Sequence, residues 1–437
     1  MTVHRILATA IAALLSNPHA FTEGSVLRTT PEAEVRLQVT QLDGQSYPGS
    51  LTRITEQFVV VESDGDTREV PVDSVMMLEF PEFSRPQNPD ESSSQPETME
   101  VSLHDGSVLH SSGVIRTPQS VELVGTTLGS CQIPVSAVRA VQFQSTDATT
   151  AAQWSAFLKR DGPKDLLIIP KRDGTGLDFL AGIVASISED NVSFLLDGDT
   201  IPVPRERVFG IVFAKAKDTG LNGSAVLYAG NKQRVGVSEV RYSEKAFHVM
   251  TSWGQRLSFD ADQVARIDFS TGRIQYLSDL DPLQVQFDGI DPDGELFAGL
   301  IDDATAEKLY GLRRDSTLDP RRKIRLRGRR FDKGLCLHSR TTVSYALDQK
   351  YQSFEATVGV DDEVAFNQIS QVLLKISADG KVLFEKQMIT SDEPVSVSLP
   401  VSNMTTLVIL VDYGDSDSSC DWVDLADAKL ILATEGK

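Results

Sequence analysis

Two short segments near the C-terminus carry imidazole, indole, carboxylate and thiol side chains at close spacing. The first is Lys-Gly-Leu-Cys-Leu-His-Ser at 333–339, and the second begins Cys-Asp-Trp-Val-Asp at 420. A neutral sugar offers hydroxyl groups and one apolar face, so its site needs an aromatic plane and a few fixed polar groups. We predict a carbohydrate-binding site at strand ends or in loops, made of His338, Asp361, Asp415, Asp421 and Trp422.

Each of these side chains also has a structural interpretation, which the sequence leaves open. The indole of Trp422 can pack in a core with its N–H bonded to a carbonyl oxygen. Asp361 and Asp421 can cap turns, and His338 can be a hydrogen-bonded structural histidine. Mutation of His338 and Trp422 separates the two interpretations, because only a binding site predicts lost retention on polysaccharide without unfolding.

Carboxylates are dense toward the end of the chain, between Asp412 and Asp424. Hard cations take clustered oxygen ligands, although the spacing here is not that of an EF-hand loop. We therefore predict calcium, and no other cofactor, with ligands from Asp412, Asp417 and Asp424.

The chain has three cysteines, which are Cys131, Cys336 and Cys420. No CxxC pair occurs, which argues against a structural zinc site. In an oxidising compartment one disulfide can form, and we hypothesise that it joins Cys336 to Cys420.

Composition excludes several classes of function. Of the 437 residues, 41% are hydrophobic and 24% are charged, so the chain can bury real cores. The formal net charge of -20 argues against a nucleic-acid partner and against adsorption to anionic membranes. The sequence has no His-Glu-x-x-His, Gly-x-Ser-x-Gly or phosphate-loop motif. A hydrolase needs two carboxylates at defined separation, and acids are too common here to nominate a pair, so we predict no catalysis.

The N-terminus is typical of an export signal. One arginine precedes an apolar run at 6–15, which is too short to span a bilayer but suits a signal-peptide core. We predict a signal peptide at 1–20 and a secreted, periplasmic or cell-envelope protein without a membrane span.

Upstream, four units of about 40 residues repeat an Asp-Gly or similar turn, alternating strands and a closing Val-x-x-x-x-Phe. A proline precedes the closing strand in the first three. This pattern resembles Sm-like or SH3-like small barrels. We predict β repeats at 35–82, 101–145, 164–215 and 222–272, a flexible linker at 83–100, a helix at 149–160 and a β-sandwich at 274–433. Trp154 in the helix is interpreted as a packing residue.

The most basic run of the chain, 321–333, leads into the segment at 333–339. Alternation of apolar residues and arginines through Arg327 predicts a half-exposed strand. Its basic face meets water or nearby carboxylates, with contact to an anionic glycan as the alternative.

Residues from about 274 to 432 resemble the carbohydrate-binding module first recognised beside family 98 glycosyl hydrolases, called NPCBM and grouped with carbohydrate-binding module family 51. The resemblance rests on an ordered series of segments, at 276–280, 333–339, 354–362, 372–381, 407–415 and 421–430. It implies a jelly-roll β-sandwich, often with bound calcium, that recognises sugars such as galactose-containing glycans. The chain departs from relatives at Cys336, Cys420 and Val423, which puts the sugar preference in doubt.

The sequence as a whole predicts a mainly β protein, with tandem small barrel-like repeats followed by a jelly-roll sandwich. The predicted function is a secreted, non-catalytic carbohydrate-binding protein whose partner is a polysaccharide or glycan. The alternative is a structural or adhesive protein of the cell envelope, whose repeats bind envelope proteins and whose sandwich has lost sugar binding.

Overall fold

The computed structural model describes residues 34–63, 65–83, 99–230, 232–288, 305, 309–364, 369–414 and 420–433. The predicted signal peptide, almost all of the predicted linker, Asp415 and Asp417 lie outside these residues. The described part is dominated by strands, as the alternating sequence pattern predicted.

The strands of the N-terminal half follow the predicted repeats in order. They are β1 (Arg36–Gln41), β2 (Ser46–Ile54), β3 (Phe58–Ser63), β4 (Asp66–Pro71), β5 (Val75–Glu79), β6 (Met99–Leu103), β7 (Val108–Ser111), β8 (Gly113–Arg116), β9 (Ser120–Val124), β10 (Cys131–Pro134), β11 (Val138–Gln142), β12 (Asp165–Pro170), β13 (Leu177–Ile187), β14 (Asn191–Leu196), β15 (Asp199–Pro204), β16 (Gly210–Val212), β17 (Ala225–Ala229), β18 (Gln233–Ser243), β19 (Ala246–Thr251), β20 (Arg256–Asp260) and β21 (Val264–Asp268). The helix α1 (Ala148–Leu158) lies between the second and third repeats.

Each repeat is an antiparallel meander whose first strand also pairs with its last. In the first repeat β2 pairs with β1 and β3, β3 pairs with β4, and β1 pairs with β5. A short 3₁₀ helix precedes the last strand in every repeat, as at Val72–Ser74. The sequence predicted barrel-like units, but in the described residues the strands join into one extended network rather than closing as separate barrels.

The first repeat joins the fourth and the second joins the third, in each case through their closing strands. β5 of the first repeat pairs with β21 of the fourth, where Leu78 lies opposite Ile267. β11 of the second pairs with β16 of the third, where Val141 lies opposite Ile211. All four side chains are fully buried, and burying one of this size stabilises the fold by about 1.5–3 kcal/mol. The strands that carry the repeated Val-x-x-x-x-Phe pattern therefore form the contacts between repeats.

The helix α1 packs on the third repeat. Asp147 caps its N-terminus by accepting hydrogen bonds from the backbone N–H groups of Thr149 and Thr150. Trp154 is buried and lies edge-on to Phe209, with ring centroids 5.6 Å apart, which confirms its interpretation as a packing residue. In the part of the chain that the structure describes, no helix has the length and apolar character needed to cross a membrane.

The C-terminal half is a β-sandwich of two facing sheets. Its strands are β22 (Ile274–Tyr276), β23 (Gln284–Phe287), β24 (Arg313–Arg314), β25 (Arg325–Leu326), β26 (Arg329–Arg330), β27 (Gly334–His338), β28 (Thr341–Ala346), β29 (Tyr351–Val360), β30 (Gln371–Ala378), β31 (Lys381–Ile389), β32 (Val395–Pro400), β33 (Thr406–Tyr413) and β34 (Trp422–Leu432). One sheet has the order β24-β27-β34-β29-β32, with β22 paired to β34, and the other has the order β23-β28-β33-β30-β31. Alternate residues of these strands meet between the sheets and form the core of this half.

The basic run folds as the hairpin of β25 and β26. Ile324 and Leu326 are buried, while the arginines point outward. Several arginines meet carboxylates, including Arg322 with Glu363 at 2.7 Å, which confirms the carboxylate interpretation.

Two basic side chains connect the sandwich to the first repeat. Arg273 donates hydrogen bonds to the carbonyl oxygens of Val72 and Val75, each at 3.1 Å. Lys429 is 2% exposed and donates to Asp427 at 2.8 Å, and its Nζ lies 3.8 Å from the sulfur of Met76. The described residues from Val35 onward accordingly belong to one compact unit.

We predict that Gly210→Ala destabilises the contact between the second and third repeats. A Cβ at Gly210 would lie 2.7 Å from Cη2 of Trp154 and 2.9 Å from the carbonyl oxygen of Val141. Overpacking of this kind costs about 1–3 kcal/mol. The matched control is Gly162→Ala, since a Cβ there meets nothing within 4 Å. Denaturant unfolding that finds equal stability for the two variants would contradict the packing described.

Candidate functional site

The pairing of β27 with β34 brings the two chemical segments side by side. His338 lies opposite Trp422, and Cys336 lies opposite Asp424. Gly334 begins β27 with φ of 145°, and a Cβ there would lie 2.5 Å from the carbonyl oxygen of Leu425. Glycine is therefore required at this position for the two strands to approach.

Four rings form a continuous column at this end of the sandwich. Trp422 lies edge-on to His338 at 5.0 Å, His338 is tilted against Tyr310 at 4.8 Å, and Tyr310 stacks on Phe287 at 5.9 Å with an interplanar angle of 8°. Nδ1 of His338 lies 3.1 Å from the carbonyl oxygen of Ser339, which fixes the plane of the imidazole. Trp422 and His338 are buried, whereas Tyr310 and Phe287 are half-buried.

Charged and polar side chains lie on the strands next to Phe287. The backbone N–H of Asp288 donates to the carbonyl oxygen of Arg340 at 3.0 Å, which joins the backbone that follows Phe287 to that of Arg340. Arg340 lies 3.7 Å from a carboxylate oxygen of Asp412 and over the ring of Tyr413. We call this half-buried group the end surface: Phe287, Tyr310, Arg340, Asp412 and Tyr413.

Asp421 and Asp361 organise the backbone beneath the end surface. Oδ1 of Asp421 accepts a hydrogen bond from the backbone N–H of Gln371 at 3.1 Å, which ties the start of β34 to the start of β30. Asp361 accepts from the backbone N–H of Glu363 at 2.8 Å, which is the geometry of a turn cap.

The described members of the predicted sugar site are thus brought together, but below the surface. His338 is 3% exposed, Trp422 6%, Asp361 0% and Asp421 1%. As placed, they offer almost no surface to a ligand. Asp415 lies outside the described residues.

The two described members of the predicted calcium set, Asp412 and Asp424, lie in different sheets. Asp412 lies on β33 and pairs with Arg340, while Asp424 lies on β34 in the opposite sheet and is grouped with Cys336 and Asp361. Calcium takes six to eight oxygen ligands, and a group that contains a thiol does not fit it. Asp417 lies outside the described residues.

Burial is the main cause of the raised pKa values of Asp361 and Asp424. It raises the pKa of Asp361, and together with the charge of Asp361 it raises the pKa of Asp424 well above its usual range. A carboxylate without solvent favours its neutral form unless a cation or hydrogen-bond donors stabilise the charge.

The hypothesised disulfide between Cys336 and Cys420 is not formed in this structure. Sγ of Cys336 points to Oδ2 of Asp361, 3.4 Å away. Cys420 instead precedes β34 in a left-handed conformation with φ of 64°.

Sequence reasoning missed Phe287, Tyr310 and Arg340. Arg340 follows the first chemical segment directly, and Phe287 ends an alternating run, so each had a weak local signal. Tyr310 had none, because only the fold brings it onto His338.

The chain was compared with known proteins. Residues 300–431 match the family model described as NPCBM/NEW2 domain. No curated protein matches the chain significantly. Among solved structures, CBM51 from Clostridium perfringens GH95 in complex with methyl-galactose is 23% identical, with 36% of this chain and 99% of that chain covered and a TM-score of 0.29.

Two further solved structures have similar scores. CBM51-2 with INT domains from Clostridium perfringens ZmpB, in complex with GlcNAc, is 21% identical, with 46% of this chain and 41% of that chain covered and a TM-score of 0.31. The tandem CBM51 modules of Sp3GH98, a family 98 glycoside hydrolase from Streptococcus pneumoniae, are 13% identical, with 79% and 90% covered and a TM-score of 0.29.

The residues matched by the family model include both segments and most of the strands of the sandwich. Residues 300–431 therefore match the NPCBM/NEW2 domain, the carbohydrate-binding module that the sequence motifs predicted.

Proposed function

We propose that the C-terminal sandwich binds a glycan at the end surface, without covalent chemistry. The observation that carries the proposal is the stacked pair of Phe287 and Tyr310, which is half-buried and lies at the end of the strand whose backbone bonds to that of Arg340. The match of residues 300–431 to the NPCBM/NEW2 family model supports it.

The end surface has the chemistry that a sugar requires. The apolar face of a pyranose stacks on an aromatic plane, and its hydroxyl groups pair with fixed donors and acceptors. Arg340 supplies planar N–H donors and Asp412 supplies acceptors, and the two groups lie 3.7 Å apart.

The buried residues of the predicted site act as the support of this surface. Trp422 and His338 back the ring of Tyr310, so they fix where that ring lies. Asp421 ties the strand of Trp422 to the start of β30, and Asp361 caps the turn after β29. Replacement of any of them changes binding through position rather than through a lost contact with sugar.

The finer parts of the proposal rest on the sequence. Galactose-containing glycans are the proposed ligand class because of the family resemblance. Export is proposed from the signal-like segment at 1–20, and a non-catalytic role from the lack of recognised hydrolase motifs.

A second candidate is the adhesive or structural envelope protein. The burial of His338 and Trp422 favours it, because side chains without accessible surface bind no sugar directly. A groove of about 880 Å³ between the second and third repeats, lined by Phe143, Arg205 and Glu206 among others, is a surface on which such repeats would bind a protein.

We predict that Tyr310→Ala in the full chain weakens glycan binding about tenfold, the loss expected when one stacking plane worth about 1.4 kcal/mol is removed. The measurement is retention on an array of galactosides, blood-group-type glycans and algal polysaccharides, followed by titration of the best ligand. Phe179→Ala is the control, since Phe179 is an exposed ring on the third repeat. Equal retention by wild type and Tyr310→Ala would refute the site, and silence of the wild type across the array would favour the adhesive candidate.

We also predict that Arg340→Lys weakens binding about tenfold although it keeps the charge, because lysine loses the planar fork that pairs with two acceptors at once. Arg329→Lys is the matched control, an exposed arginine that also lies over a ring, that of Phe331. Calorimetric titration that finds Arg340→Lys indistinguishable from Arg329→Lys would exclude Arg340 from the contact.

A further inference from the structure

Three potential metal ligands meet on the face of one sheet that points away from the core between the sheets, next to Tyr310 of the end surface. Cys336, Asp361 and Asp424 are each 0% exposed. One ligand atom from each lies within 4.8 Å of the others. We call this group the buried trio.

The trio comes from three adjacent strands of one sheet. Cys336 of β27 lies opposite Asp424 of β34, whose other neighbour is Gly359 of β29. Asp361 directly follows β29. The ligand atoms are therefore placed by backbone hydrogen bonding of a rigid sheet, which is how precise metal sites are built.

The two carboxyl groups differ in their partners. Asp361 accepts hydrogen bonds from the backbone N–H groups of Glu363 and Leu318, and from the thiol of Cys336. Neither carboxylate oxygen of Asp424 has a hydrogen-bond partner of ordinary geometry in the described part of the chain, and the donors that face this carboxyl group are the Cys336 thiol and the backbone N–H of Arg325. Buried polar atoms are nearly always paired, so an orphaned carboxylate points to an ion or a proton that occupies its place.

The surroundings of the trio supply no balancing charge. Cys336 packs with Val364 and Trp422, and the partly buried Tyr310, Leu318, Val360 and Cys420 lie against this cluster. Among the described residues, the ion pairs include neither Asp361 nor Asp424. A divalent cation seated between the three side chains would offset two of the three negative charges that they carry when all are ionised, and it would give the carboxylate of Asp424 a partner.

We propose that Cys336, Asp361 and Asp424 bind one zinc ion that joins three strands of the sandwich. Zinc accepts a thiolate together with carboxylate oxygens, in contrast to calcium and magnesium, which take oxygen alone. On binding, the Cys336 thiol and any protonated carboxyl group release their protons to solvent, and the ion takes their place. The site is structural, and its existence does not depend on glycan binding at the end surface.

The first test measures metal in the full chain after removal of any affinity tag. We expect about one zinc per chain by elemental analysis, and a melting temperature that falls by roughly 5–10 °C when a strong chelator strips the ion and recovers when zinc is restored. Cobalt in place of zinc should produce thiolate-to-cobalt charge-transfer absorption, a signature that needs no variant. Calcium added to the stripped chain should restore neither the melting temperature nor the charge-transfer absorption.

Variants then assign the ligands. Asp424→Asn and Cys336→Ser should each lose the bound zinc, and Cys336→Ser should lose the cobalt charge-transfer band. Cys131→Ser is the control, because Cys131 is an equally buried thiol in the second repeat, and it should retain both. A wild-type chain that contains no zinc, takes up no cobalt and melts at the same temperature with and without chelator would overturn the site, and the trio would then be a protonated, hydrogen-bonded group.

Discussion

The close pairing of β27 with β34 is the constraint on which the rest of the sandwich depends. Gly334 permits this approach, because any side chain there would run into the backbone of Leu425. The register that follows sets His338 beside Trp422 and Cys336 beside Asp424. One backbone contact thus positions both the ring column that reaches the surface and the buried trio beneath it.

Around that pairing, the side chains form a buried inner group and a half-exposed outer group, which have different physical roles. The inner group is buried and hydrogen-bonded, and it holds positions: Asp421 ties two strands together, and His338 and Trp422 back the outer rings. The outer group is half-exposed and contains a stacked ring pair, an arginine and a carboxylate. Arg273 and Lys429 connect the first repeat to the sandwich, and these contacts fix the sandwich on the repeats.

The sequence predicted the strands and the class of fold well, because period-two alternation and Asp-Gly turns are local signals. It also placed His338 and Trp422 together through the ordered motifs. It did not reveal their burial, since exposure depends on which residues of distant strands cover them. Tyr310 is far in sequence from Trp422, and only the folded chain places it over His338. The repeats were visible in the sequence, but their joining through β5, β11, β16 and β21 was not, because it pairs strands that are far apart in the chain.

The most direct measurement is a crystal structure of the full chain with a glycan that it retains on the array. The proposed function predicts a pyranose ring stacked on Tyr310 or Phe287, with hydroxyl groups on Arg340 and Asp412, and with His338 and Trp422 unmoved behind it. Sugar density on the repeats, or density that reaches His338 and Trp422 only after the outer rings have swung away, would contradict it.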